Sequence, residues 1–231
     1  MGTTAASLPF PPQADASKDN SMQHVVLLGD SIFDNAAYVA GGPEVLKQLR
    51  ERLPGHWQAT LNAVDGAVTG GVERQLQRLP PDASHLVISV GGNDALHHAG
   101  LLDQGARSVA EALSHISDVR EQFQRDYSTM IAGVLNRKLP TSICTIYDAR
   151  FPDPQRRRLA NTALAVFNDV ITRTAFMHGL TLIDLRLICN EDVDYANPIE
   201  PSVTGGAKIA SVIAAVVLEH AARSRSEVYA R

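Results

Sequence analysis

The stretch His24-Val25-Val26-Leu27-Leu28-Gly29-Asp30-Ser31 decides the fold. An uninterrupted apolar run of this length reads as a buried strand, and it delivers the residues that follow to the carboxyl edge of a sheet. Open α/β folds keep their sites at that edge. Gly29 lets the chain turn sharply, which leaves Ser31 on the turn with its hydroxyl toward the crevice. Two later segments repeat the pattern. Residues 57–64 form a second strand followed by Asp65-Gly66-Ala67-Val68-Thr69-Gly70-Gly71, and Leu86-Val87-Ile88-Ser89-Val90 runs into Gly91-Gly92-Asn93-Asp94. Three successive strands, each ending in a Gly-rich polar turn, can bring their tips to one crevice.

Outward from these strands the chain alternates regularly. Helices are expected over residues 44–53 and 72–79, where Val and Leu recur at helical spacing. Residues 107–138 read as helix in two pieces, with Ser117-Asp118 as break and cap. A fourth strand over 141–147 precedes a long amphipathic helix over 154–178, ended by Gly179. A fifth strand over 181–188 and a final helix over 208–223 complete the pattern. Strands separated by helices of this length imply a parallel sheet with right-handed crossovers. Helices must then cover both faces, so the expected fold is a three-layer α/β/α sandwich with a five-stranded parallel sheet. Residues 24–231 read as a single domain. The Ala-, Ser- and Pro-rich residues 1–23 read as a disordered tail, or a leader upstream of an alternative start at Met22.

Composition narrows the function classes. Of 231 residues 45% are hydrophobic and 20% charged, ample for a core and ordinary for a soluble protein. Net charge is −4, and the one basic cluster, Arg156-Arg157-Arg158, fits a solvated helix face, so nucleic acid is not an expected partner. No apolar run reaches the roughly 20 residues of a membrane span, so no membrane partner is expected. Cys144 and Cys189 read as buried free thiols without metal-ligand spacing. The N-terminal stretch lacks the charged start and apolar core of a secretion signal, which makes the cytoplasm the default location. No dinucleotide fingerprint, P-loop or Gly-x-Ser-x-Gly elbow is present. A flavin binder would share the sheet without needing Gly91-Gly92-Asn93-Asp94.

Gly-Asp-Ser near the start, a Gly-containing second turn and Gly-Gly-Asn-Asp after the third strand together resemble the SGNH (GDSL-type) hydrolase family. The resemblance runs from about Val25 to the last helix. It implies a flavodoxin-like strand order 2-1-3-4-5 and no metal or organic cofactor. It makes Ser31 the nucleophile, with its own backbone N–H, the Gly66 N–H and the Asn93 side chain as oxyanion donors. The family also carries an Asp and a His three residues apart before the final helix. Here the segment is Asn197-Pro198-Ile199-Glu200-Pro201-Ser202, so Asn stands for Asp and Glu for His.

That departure leaves three chemistries open. Acyl transfer needs a nucleophile, a base and oxyanion donors. Glu200 can serve as base if burial lifts its pKa toward neutrality. Alternatively His97 or His98, on the loop leaving the third strand close after Asn93, is the base and Glu200 orients the imidazole. Or the site binds an acyl or carboxylate ligand without turnover. Asp34 and Asn197 are candidate substrate contacts at the mouth, with capping of the following segment as the plainer role for Asp34. The expected partner is a small ester or acyl substrate. The sequence does not report an oligomeric state.

Overall fold

The first strand, β1 (Gln23–Gly29), sends its side chains alternately into two cores. Val25 and Leu27 join Val45, Leu49, Ile209 and Ile213 on one face. Val26 and Leu28 join Leu76, Ile131, Val134 and Ile171 on the other. The computed structural model describes residues 21–219 and the backbone of 228–229. The expected tail therefore lies outside the described residues up to residue 20, and the strand begins one residue early, at Gln23.

After β1 the order is α1 (Val45–Arg52), β2 (Trp57–Leu61), α2 (Val72–Leu76), β3 (His85–Ser89), α3 (Gly92–His97) and α4 (Val109–Leu135). Then come β4 (Thr141–Cys144), α5 (Pro154–His178), β5 (Thr181–Ile183), α6 (Leu185–Ile188), β6 (Tyr195–Asn197), β7 (Glu200–Pro201), α7 (Val203–Glu219) and β8 (Val228–Tyr229). The main sheet has the order β2-β1-β3-β4-β5-β8. All its pairings are parallel. The five expected strands thus lie in the order 2-1-3-4-5, with the two-residue β8 added at the edge. Residues of α1, α6 and α7 fill one face, and those of α2, α4 and α5 the other, giving three layers. Because β2 and β3 flank β1, the order reverses at the turn carrying Ser31, the position where such sheets open a crevice.

Four expectations are corrected. Helix α4 is continuous through Ser117-Asp118, because both side chains are exposed and leave the backbone ladder alone; the cap is Ser108, whose Oγ accepts from Glu111 N. Residues 185–188 are helical rather than strand, since Asp184 caps them by accepting from Arg186 N at 3.2 Å. Gly92 opens a short helix that carries Asn93, so His97 ends α3 and His98 caps it instead of lying on an open loop. The last helix starts at Val203, where Ser202 Oγ accepts from Thr204 N and Gly205 N. Its expected end beyond residue 219 lies outside the described residues. Cys144 and Cys189 are buried free thiols, the latter at the end of α6. Among the described residues no helix is long and apolar enough to cross a membrane.

Candidate active site

The turn that carries Ser31 is fixed from three sides. Gly29 has φ +122°, and a Cβ there would lie 1.7 Å from the Ser89 carbonyl oxygen, so β1 and β3 can approach only with glycine between them. From α2, the Gln75 carboxamide clamps the same residue: its oxygen accepts from Gly29 N at 2.7 Å and its nitrogen donates to Gly29 O at 2.8 Å. Asp30 N donates to Ser89 O at 3.0 Å, while Asp30 Oδ1 accepts from Ile32 N at 3.2 Å. Ser31 is left buried at the cavity wall, 6% exposed.

Glu200 arrives from the opposite side on the β6–β7 hairpin. The Asn197 side chain shapes that turn, its Oδ1 accepting from Ile199 N at 2.9 Å and Glu200 N at 3.0 Å. Tyr147 OH donates to Ile199 O at 2.7 Å. Asn35, four residues after Ser31, ties the two halves: its Nδ2 donates to Pro201 O and its Oδ1 accepts from Val45 N at the start of α1. Behind the hairpin, a Cβ at Gly205 would fall 2.1 Å from the Asp194 carbonyl, so α7 packs this closely only through glycine.

Ser31 Oγ donates to Glu200 Oε1 at 3.0 Å. The other carboxylate oxygen, Oε2, is buried without a hydrogen-bond partner. Burial pushes the Glu200 pKa up to about 7, opposed by the Ser31 hydrogen bond and aided by the nearby Asp65 charge. Asp30, fully buried on the same wall, is raised to about 8, chiefly by burial; the Ile32 N–H opposes this, and the charges of Glu200 and Asp94 add to it. A carboxyl that ionises near neutrality can accept a proton from a hydroxyl and return it.

The second and third strand tips are stitched to each other. Asn93 Nδ2 donates to Ala67 O at 3.0 Å, and Asp94 Oδ2 accepts from Thr69 N at 3.0 Å. Asp34 Oδ2 accepts from Asp65 N at 3.0 Å, joining the serine turn to the second tip. Ser31, Asn93 and Glu200 line one cavity of about 250 Å³. Gly66 is not on that wall, though its neighbours Asp65 and Ala67 reach Glu200 electrostatically and Asn93 by hydrogen bond. His98 lines the cavity and also a second groove; His97 lines only the groove, with Thr69 and Asp94. Asp34 and Asn197 spend oxygens on backbone N–H groups, as turn-holding residues do.

One imidazole does have triad-like partners, but in the wrong place. His24 Nε2 contacts Thr60 Oγ1 at 2.7 Å and Nδ1 contacts Asp82 Oδ1 at 3.0 Å. It stands near the start of β1, and five residues of extended chain, roughly 17 Å, separate it from Gly29. Among the described residues no group of His, Cys, Asp and Glu could hold a metal ion. Gln75 and Asn35 escape a motif reading because each acts through backbone groups distant in sequence, and nothing in their own neighbourhoods signals it.

Comparison with known proteins bears on the fold and the family. A sequence search of curated proteins finds no match. Solved structures share the fold at low identity. A lipase, Lip_vut3 from a goat rumen metagenome, superposes with TM-score 0.64 at 16% identity, covering 84% of this chain and 96% of that one. Phospholipase A1 from Streptomyces albidoflavus NA297 gives 0.61 at 15% identity, covering 87% and 100%. The acetyl xylan esterase AlAXEase gives 0.61 at 18%, covering 84% and 99%. The family profile of GDSL-like lipases and acylhydrolases matches residues 27–205, which takes in Ser31, Asn93 and Glu200. With that match spanning most of the sequence, the chain belongs to the GDSL-like lipase/acylhydrolase family, hydrolases of ester type.

Proposed function

We propose that this protein cleaves small esters, or transfers their acyl groups, through Ser31, with Glu200 acting directly as the base. The observation that carries the reading is the 3.0 Å hydrogen bond from Ser31 Oγ to Glu200 Oε1, at a carboxyl whose pKa is about 7. His97 and His98 have no such bond to Ser31 to recommend them. As Ser31 Oγ attacks the ester carbonyl carbon, its proton passes to Glu200 Oε1. The negative oxygen that forms is held by the Ser31 N–H and the Asn93 carboxamide, both on the cavity wall. An amide nitrogen has two hydrogens, so Asn93 can hold Ala67 O with one and still offer the other to the oxyanion. Glu200 then protonates the departing alkoxide, and the acyl group stays on Ser31. Water attacks the acyl carbon next: Glu200 takes its proton, the bond from the acyl carbon to Ser31 Oγ breaks, and the carboxylic acid leaves as Ser31 Oγ regains the proton from Glu200. Without an imidazole there is nothing for an Asp at 197 to orient, and Asn197 serves the hairpin instead.

The test is a panel of p-nitrophenyl esters with wild type and Ser31→Ala. We expect turnover by wild type and its loss in the variant. Equal rates from the two proteins would remove Ser31 from the reaction, and no turnover with intact ligand binding would make the site a binding pocket.

A further inference from the structure

We infer that the cavity beside Ser31 is an acyl-chain channel roofed by the overhanging halves of α4 and α5, with Ala160 and Ala163 setting the length of chain it accepts. The inference rests on the ester-hydrolase reading above and names its substrate class: esters of unbranched acids of intermediate length.

The overhang follows from element lengths. Helix α4 has 27 residues and α5 has 25, so each is roughly 40 Å long. The longest strand has 7 residues, about 23 Å. Only the C-terminal halves of the two helices bury side chains in the sheet's core: Phe123, Tyr127, Met130, Ile131 and Val134 from α4, and Phe167 to Ala175 from α5. The N-terminal halves continue past the carboxyl edge of the sheet. Their apolar positions remain in helical register, Ile116 and Val119 on α4 and Ala160, Ala163 and Leu164 on α5, and these line the cavity. Leu101 and Leu102, after α3, add to the wall. Phe123 and Phe167, with ring centroids 4.8 Å apart, mark where the two helices come together over the sheet.

Such a lining has no polar work to offer a sugar or peptide. Away from Asp30, Ser31, Asn93 and Glu200 at its catalytic end, its charged or titrating members are Tyr147, His98 and Arg156; the Tyr147 hydroxyl donates to Ile199 O at 2.7 Å and Arg156 pairs with Asp103 at 3.6 Å. An apolar chain would complete the unfinished core between the helices. At roughly 30 Å³ per water-sized group, the 250 Å³ space admits about eight, which corresponds to acyl groups of about six to ten carbons. The two alanines make the room: on the inward stripe of α5, longer side chains at 160 or 163 would occupy it.

The experiment measures kcat/KM for p-nitrophenyl esters from acetate to palmitate. Wild type should gain up to about fourfold per added methylene until the channel fills near octanoate, then decline. Ala163→Phe should lower the octanoate-to-acetate ratio at least tenfold, and Ala163→Val by less. Ala165→Phe, on the exposed side of α5, should leave the profile as in wild type, with circular dichroism verifying each fold. Binding of free fatty acids to Ser31→Ala, read by displacement of a fluorescent fatty acid, separates this inference from the reaction on which it rests. Affinity rising with chain length to about eight carbons supports the channel even if no ester is cleaved. Acetate turnover with no gain from added methylenes overturns the channel while leaving Ser31 and Glu200 in place. A uniform loss across all esters in Ala163→Phe also overturns it.

Discussion

Replacing Glu200 with Gln removes a proton acceptor while keeping shape and leaving the Ser31 hydroxyl an oxygen to donate to. General base catalysis contributes about 10²- to 10⁴-fold, so kcat for an activated ester should fall within that range. The wild-type pH profile supplies a second reading of the same claim. With a base ionising near 7, about 1% is deprotonated at pH 5, and kcat/KM there should be about a hundredfold below its plateau at pH 8 and above. An ordinary glutamate, ionising near 4.5, would lose less than about twofold over that interval. Stability should move the other way. Because the folded pKa lies above the unfolded one, the native state binds more protons between pH 4.5 and 7, and stability falls as pH rises through that window. Glu200→Gln should therefore be more stable than wild type at pH 8, by about 2 kcal/mol once screening at the crevice mouth is allowed for, and no more stable at pH 4. Steady-state rates from pH 5 to 9 and urea unfolding at both pH values measure these effects. A wild-type profile flat from pH 5 to 9, or a Gln variant of undiminished kcat, would refute the assignment.

Asp30, ionising near 8 instead of 3.8, has the same sign over a wider window: folded stability should drop by on the order of 5 kcal/mol between pH 4 and 8. Asp30→Asn should flatten that decline in denaturant titrations, and an unaltered slope would exclude Asp30 as its source. Asn93→Ala should lower kcat about 10²- to 10³-fold with little change in KM, as loss of an oxyanion donor does; a change confined to KM would argue for ground-state binding instead. Gln75→Leu leaves Gly29 N buried without a partner, while Gly29 O keeps Val64 N at 3.0 Å, and should cost about 1–3 kcal/mol in unfolding free energy. A loss below 0.5 kcal/mol, on the order of a surface substitution, would show that the clamp is not needed.

Much of the fold was legible because hydrophobic runs and turn residues are local signals. The run from Val25 to Leu28, the Pro154 start and the Gly179 stop of α5 each follow from a few neighbouring residues. Errors fell where tertiary hydrogen bonding overrides local tendency. Ser117-Asp118 has cap chemistry but sits on an exposed face of α4, so the helix runs through; Asp184 captures Arg186 N and turns an apolar strand continuation into α6. In the site, Ser31, Asn93 and Glu200 were readable from motif and order. Their joint presence around one cavity required the strand order, which composition and spacing do not encode. The channel residues were hidden because Ala160 and Ala163 read as an ordinary helix face, and only the mismatch between helix and strand lengths gives them a cavity to line.

The central claim, a serine hydroxyl activated by a neighbouring carboxyl rather than an imidazole, is tested most directly by labelling with a fluorophosphonate. The modified residue is mapped by mass spectrometry, and the labelling rate is followed against pH. The account predicts modification at Ser31, with a rate that rises through pH 7 in wild type and is at least a hundredfold slower in Glu200→Gln. Modification at another residue, or Ser31 labelling at equal rates in the two proteins, would contradict it.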